Sequence, residues 1–136
     1  MANDCVTVKE SMMEWSVDST LDKRFVTVPD LLPHKIITAM DNPPGSFLLD
    51  PYRDYRFSSI SLPEILDNLH KAIYDRRQIN RQEVLERLHL KQWEEWACGA
   101  LQSAENKDVL LVTLLKLEDL CSYALREGKD ILIFGD

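Results

Sequence analysis

The sequence predicts an α+β fold that is mainly α, a helical core of about four to six helices with a small sheet of short strands. Three observations carry this. Apolar residues recur at helical spacing from Leu62 to Arg76 and again from Val109 to about Arg126. Two short runs rich in β-favouring types, Arg24 to Val28 and Asp130 to Phe134, stand outside those patterns. One sharp break, Asn42-Pro43-Pro44-Gly45, divides the chain without making two domains. A chain of 136 residues with 45% apolar and 29% charged side chains has the size and composition of one globular unit, so residues 1–136 are expected to form a single domain.

Residues 7 to 17 can be helical, because Val8, Met12 and Trp15 recur at i, i+4 and i+7, although Val6 and Val8 also allow a short strand. Arg24 to Val28 reads as a short strand stopped by Pro29. Pro29 to Met40 reads as a helix, with Pro33 limiting how early regular bonding begins. After the proline break, Phe47 to Leu49 and Tyr55 to Ile60 are two β-like pieces around Asp50-Pro51-Tyr52-Arg53-Asp54, in a hairpin or an irregular ordered loop.

Leu62, Ile65, Leu66, Leu69 and Ile73 share one helix face, and Ser61 followed by Glu64 has the form of a capping box. Asn80 and Glu83 repeat that form, so a new helix is expected near Arg81, carrying Val84, Leu85 and Leu88 inward. Beyond Leu88 the phase changes, and Trp93, Trp96, Ala97, Ala100 and Leu101 make a second face. A turn near His89 to Lys91 between two helices is the simplest explanation, with a bent single helix as the alternative. Asp108 is placed to cap the last helix, whose polar positions Thr113, Lys116, Asp119 and Ser122 form a narrow stripe. Such a helix is covered on most sides. Gly128 suits its C-terminal cap, and Asp130 to Phe134 is then a short buried strand pairing with an earlier one such as Arg24 to Val28.

Acidic side chains outnumber basic ones by 23 to 16, a formal charge of -7. That balance repels phosphate backbones and favours encounter with a basic protein surface. Cys5, Cys98 and Cys121 are widely spaced and form no CxxC pair, which indicates neither a disulfide framework nor a zinc site. Cys98 and Cys121, inside apolar helical patterns, are expected to be inert buried thiols. The N-terminal stretch has no basic segment followed by an apolar one, and the longest apolar run, Val109 to Leu115, is about a third of a bilayer span. A cytoplasmic location without membrane contact is therefore expected.

His34, His70 and His89 are scattered, and no phosphate-binding loop, dinucleotide fingerprint or nucleophile elbow is present, so neither metal nor cofactor nor catalysis is expected. Adjacent carboxylates, as in Glu94-Glu95 and Glu118-Asp119, diverge by about 100° on a helix and cannot share a proton in one cleft. Asn80 to Gly99 loosely resembles the helix-turn-helix of small bacterial regulators, with Lys91 and Gln92 at the reading positions and Glu94 and Glu95 set against phosphate.

Tyr52, Arg53, Asp54, Tyr55 and Arg56 are the most suggestive stretch, since tyrosine and arginine dominate binding hot spots. The plainer alternative is a loop whose aromatics pack on the core and whose Arg–Asp pairs are local. The reading that follows is a non-catalytic protein-binding module, an immunity or antitoxin kind of inhibitor whose acidic surface occludes a basic site on a cognate toxin. Tyr52, Arg53, Asp54, Tyr55, Arg56, Glu94 and Glu95 are its expected contacts. The alternatives are a helix-turn-helix regulator and a small acidic secretion chaperone.

Overall fold

The computed structural model describes residues 13–19, 24–29, 32–41 and 43–135. Among them are four strands, β1 (Met13–Val17), β2 (Phe25–Val28), β3 (Tyr55–Phe57) and β4 (Ile131–Phe134), and four α-helices, α1 (Pro33–Met40), α2 (Leu62–Arg87), α3 (Cys98–Lys107) and α4 (Val109–Arg126). The strands form one antiparallel sheet in the order β2-β1-β4-β3. The α+β, mainly α, reading of the sequence holds.

The segment Met13–Val17 is a strand and not the C-terminal part of a helix. Its side chains alternate, with Met13, Trp15 and Val17 buried and Glu14 and Ser16 half-buried, and a period of two wins because a strand lies on each side. Residues 7–12, and with them Val6, Val8 and Cys5, lie outside the described residues. Arg24 to Val28 supplies β2 as expected, but β4 does not pair with it. β4 runs between β1 and β3, setting Ile133 opposite Trp15 on one side and Tyr55 on the other. That position suits its buried Ile131 and Ile133, whereas β2 is an edge strand whose Phe25 is 59% exposed.

The inward face of the sheet, Met13, Trp15, Val17, Val28, Ile131 and Ile133, joins the helices in one hydrophobic cluster. Helix α4 lies at its centre, packed against α1, α2, α3, β1 and β2. Its Leu111, Leu114, Leu117, Leu120, Cys121 and Ala124 are buried. The polar stripe is narrower than the sequence suggests. Thr113 turns inward and donates its Oγ1 hydrogen to the Val109 carbonyl at 2.8 Å, while Lys116 and Asp119 are exposed. Gly128, at φ +65°, closes the helix, with Lys129 N–H reaching the Ala124 carbonyl at 2.8 Å.

Helix α2 runs unbroken through Asn80, so no new helix starts near Arg81. Asn80 does not cap; it is buried and donates from Nδ2 to Asp108 Oδ2 at 2.8 Å. The capping box at Ser61 does not form either. Ser61 already has helical dihedrals, and its carbonyl rather than its hydroxyl takes the Ile65 N–H. The expected turn follows Leu88, where His89 adopts φ +57°. After it, Glu95–Ala97 makes one 3-10 turn before α3. That turn rotates Trp96 into solvent while Ala97 is fully buried, so the expected second face does not hold for the tryptophan.

Helix α1 begins at Pro33 rather than Pro29, and residues 30–31 lie outside the described residues. Phe47 to Leu49 is not a strand, and β3 stops at Phe57 because Ser58 to Ser61 form a turn. Buried Asn68 on α2 ties the two parts together, donating from Nδ2 to the Met40 carbonyl at 2.7 Å and to Ser46 Oγ at 3.1 Å.

Asp108 joins the two longest helices. Its Oδ1 accepts from Leu111 N–H at 3.3 Å, the expected cap of α4, while Oδ2 accepts from Arg76 Nε at 2.6 Å and from Asn80 on α2. Burial alone pushes its pKa up and is the largest single influence. The hydrogen bonds from Arg76, Asn80 and Leu111 together outweigh it and hold the carboxyl below the ordinary aspartate value. A folded-state pKa below the unfolded one means that the unfolded chain binds the proton more readily. The stabilisation is therefore complete above the unfolded value of about 3.9 and is lost as pH falls through the folded value. Asp108→Ala should lower unfolding free energy by about 2–4 kcal/mol in urea titrations at neutral pH. In Asp108→Asn the acid-side fall in stability should be shallower than in the parent chain.

Candidate functional site

Residues paired across an antiparallel sheet share a face, so the register defines the side that the helices leave uncovered. Phe25, Ser16, Leu132 and Arg56 form one row across it, and Thr27, Glu14 and Phe134 form the next. Phe25 and Phe134 are exposed and Leu132 is half-buried. A groove of about 340 Å³ crosses this side between Glu14, Ser16, Asp18, Phe25, Leu132 and Phe134.

Charge on this side is organised by Arg56. Its guanidinium hydrogen-bonds Asp18 from Nη2 and bridges to Asp130, with Nε at 2.9 Å and Nη2 at 2.8 Å from Oδ2. Those bonds, that to Asp18 first, raise the arginine pKa further above its usual value, so the group stays cationic. The other oxygen of Asp130 accepts from Ser59 N–H at 3.1 Å. Two carboxylates hold this cation, Glu14 stands in the next row, and Lys129 Nζ reaches Ser19 Oγ at 3.3 Å at the rim of the groove.

The loop ahead of β3 lies at the end of the sheet, where Tyr52 meets His34 of α1. Asp50 organises it, with Oδ1 accepting from Tyr52 N–H at 2.9 Å and the carbonyl from Arg53 N–H at 3.2 Å. Asp50 N–H in turn donates to the Tyr55 hydroxyl at 2.8 Å. Asp54 Oδ1 accepts from Gly135 N–H at 3.0 Å, which fastens the loop to the residue after β4. A side chain at Gly135 has no room, since a Cβ there would lie 2.4 Å from the Arg53 carbonyl oxygen.

The expected contact residues separate into distinct roles. Tyr52 is exposed and edge-on to His34, with ring centroids 5.9 Å apart, and Arg53 is exposed beside Asp50. Tyr55 packs inward, stacked on Phe57. Arg56 belongs to the open side of the sheet, and Asp54 serves the chain fold. Glu94 and Glu95 lie elsewhere. Neighbouring Trp93 sits under the Arg81 guanidinium at 4.6 Å, about 28 Å along α2 from Leu62 at the loop end of the helix. There Glu94 accepts from Trp96 Nε1, and Glu95 Oε2 stands 3.7 Å from Cys98 Sγ. Lys91 and Gln92 are exposed in the loop before the 3-10 turn, ahead of any helix.

Phe25, Leu132, Phe134, Glu14 and Asp18 were not expected as contacts. Their signal was faint, because Ile131-Leu132-Ile133-Phe134 is apolar throughout and does not reveal which alternate pair faces out. The cysteines differ from expectation too. Cys121 is buried, its thiol pushed up to about 12 by desolvation, but Cys98 is exposed at the start of α3. Among the described residues no three His, Cys, Asp or Glu side chains gather as metal ligands, and no helix is long and apolar enough to cross a membrane.

Gly135→Ala tests whether the loop is held against β4. The added methyl meets backbone that cannot swing aside, so urea unfolding should show a loss of about 1–3 kcal/mol, with the Tyr52 and Arg53 amides shifting in NMR spectra. Arg56→Ala should lower the melting temperature at low salt by leaving Asp18 and Asp130 facing each other, and high salt should shrink that difference.

Chemically, the arrangement supplies contact area and negative charge on a rigid frame. No family model, no curated protein and no solved structure matches this chain, so a functional reading rests on its own geometry.

Proposed function

We propose that this chain is a non-catalytic protein-binding module of the immunity or antitoxin kind, which docks the open side of its sheet on a basic site of a cognate toxin. One observation carries the reading: Phe25 and Phe134 stand exposed beside half-buried Leu132, in a groove that the carboxylates of Glu14 and Asp18 share. Exposed aromatic side chains supply apolar area that is costly to leave in water and favourable to bury against a partner. The carboxylates select the sign of that partner. A net charge of -7 steers encounter with a basic surface and opposes nucleic acid.

The site is stiff before it binds. Arg56 locks two carboxylates in place, Asp50 and Asp54 brace the loop, and the sheet rests on the hydrophobic cluster, so little ordering remains for association to oppose. Inhibition then needs no chemistry, since a basic cleft that receives a phosphate-bearing substrate is blocked by a surface of the same charge. The exposed free thiol of Cys98 agrees with a reducing cytoplasm as the compartment.

Affinity capture from a lysate of the source organism, with the parent chain and a Phe25→Ser/Phe134→Ser variant as baits, tests this. The parent should retain a basic protein at low salt and release it at high salt, and the variant should lose it. Each lost aromatic contact should cost about 1–2 kcal/mol, on the order of tenfold in Kd. The recovered protein, once purified, should lose its toxic activity on stoichiometric addition of the parent chain. Equal retention by the variant, or unaltered activity of the captured protein, would refute the proposal.

A further inference from the structure

The groove between the free edge of β2 and helix α4 is a second site, and we propose that it takes an extended acidic peptide segment of a partner as a fifth strand of the sheet. The backbone argument comes first. Val17 N–H donates to the Arg24 carbonyl at 3.0 Å, and hydrogen-bonded pairs recur every second residue, so Arg24, Val26 and Val28 turn their main-chain groups toward β1. Phe25 and Thr27 turn theirs outward. β2 closes the sheet on that side, and no described strand pairs with its outer edge.

An edge alone attracts any strand, and the surroundings narrow the choice. A groove of about 630 Å³ runs along the edge, between Phe25, Val26 and Thr27 on the strand and Lys116, Leu120 and Tyr123 on α4. That volume falls within the usual range for ligand sites. The strand spans about 13 Å, enough to pair with about four residues. Alternate side chains of an added strand would point toward α4, where Lys116 and the Arg24 guanidinium over Tyr123 would meet acidic ones.

Charge selects the occupant. Among the described residues the ionic groups lining the groove are Arg24, Lys116 and Asp119, two cations to one anion on a chain of net -7. The Arg24 guanidinium is held 3.8 Å above the Tyr123 ring centre, which fixes one cation on the groove wall. Lys116 makes no ion pair among the described residues. A second copy of this chain pairing edge to edge would bring the same cations together and set two acidic chains side by side. A carboxylate-bearing peptide meets both the cations and the unpaired main chain. This inference uses the outer edge of β2 and the flank of α4, whereas the toxin-inhibitor reading uses the open side of the sheet; Phe25 borders both grooves, and Lys116 borders this one alone.

The probe is a fluorescein-labelled octapeptide of alternating valine and glutamate, followed by anisotropy against the full chain. Two comparison peptides replace glutamate by lysine or carry N-methyl groups on alternate amides. The glutamate peptide should bind, and both comparison peptides should bind at least about tenfold more weakly. Lys116→Glu, on an exposed helix surface, should weaken binding by at least about tenfold while leaving the thermal unfolding curve in place. Thr27→Pro should do the same by removing an outward N–H. Four results would each overturn the proposal: no binding of the glutamate peptide at millimolar concentration, equal binding of the N-methylated peptide, equal binding of the lysine peptide, or a concentration-dependent dimer that the glutamate peptide fails to dissociate.

Discussion

Helix α4 is apolar around most of its circumference and has to be covered on most sides. Helix α2 covers one flank, α1 and α3 cover others, and the inward face of the sheet covers what remains. Burying seven side chains of α4 is favourable by roughly 1.5–3 kcal/mol for each large apolar one, far more than any surface ion pair in the molecule contributes. That demand explains why the sheet presents Met13, Trp15, Val17, Ile131 and Ile133 to the helices. It also explains why the opposite side of the same strands stays open.

The polar contacts refine this arrangement without creating it. Asp108 stops α4 and grips α2 through Arg76 and Asn80, which fixes how far one helix slides along the other. Asn68 sets α1 against α2 through the Met40 carbonyl. Arg56 does comparable work at the sheet, drawing Asp18 and Asp130 together across three strands' width. Because these groups serve internal order, the surfaces they leave are apolar side chains with carboxylates on the open side, and a strand edge with cations beside α4. The two differ in charge as well as geometry.

Several errors in reading the sequence share one cause. Asn80 with Glu83 has the form of a helix start, yet Asn80 is consumed by a carboxylate 28 residues away, and local signals carry no word of such a contact. Ser61 with Glu64 has the same form and fails because the chain enters the helix one residue earlier. Trp15 fits both a helical and an alternating pattern, and pairing on two sides decides between them. Arg56 was legible as a contact type, but its role depends on Asp18 and Asp130, which reach it only through the sheet. Tyr55 was singled out with Tyr52, though β3 sends Tyr55 inward and the turn before the strand leaves Tyr52 exposed.

By itself the sequence determined the helical core, the strands at Arg24 to Val28 and Asp130 to Phe134, the Asp108 cap, the Gly128 stop, the turn near His89 and the acidic balance. All of these follow from residue type or short-range spacing, where hydrogen bonding and helix period act within a few residues. Tertiary structure alone decided the strand order, which side of each strand faces water, and the separation of Glu94 and Glu95 from the tyrosine loop. Those depend on cross-strand register and on the length of α2, and both join residues that the linear chain keeps far apart.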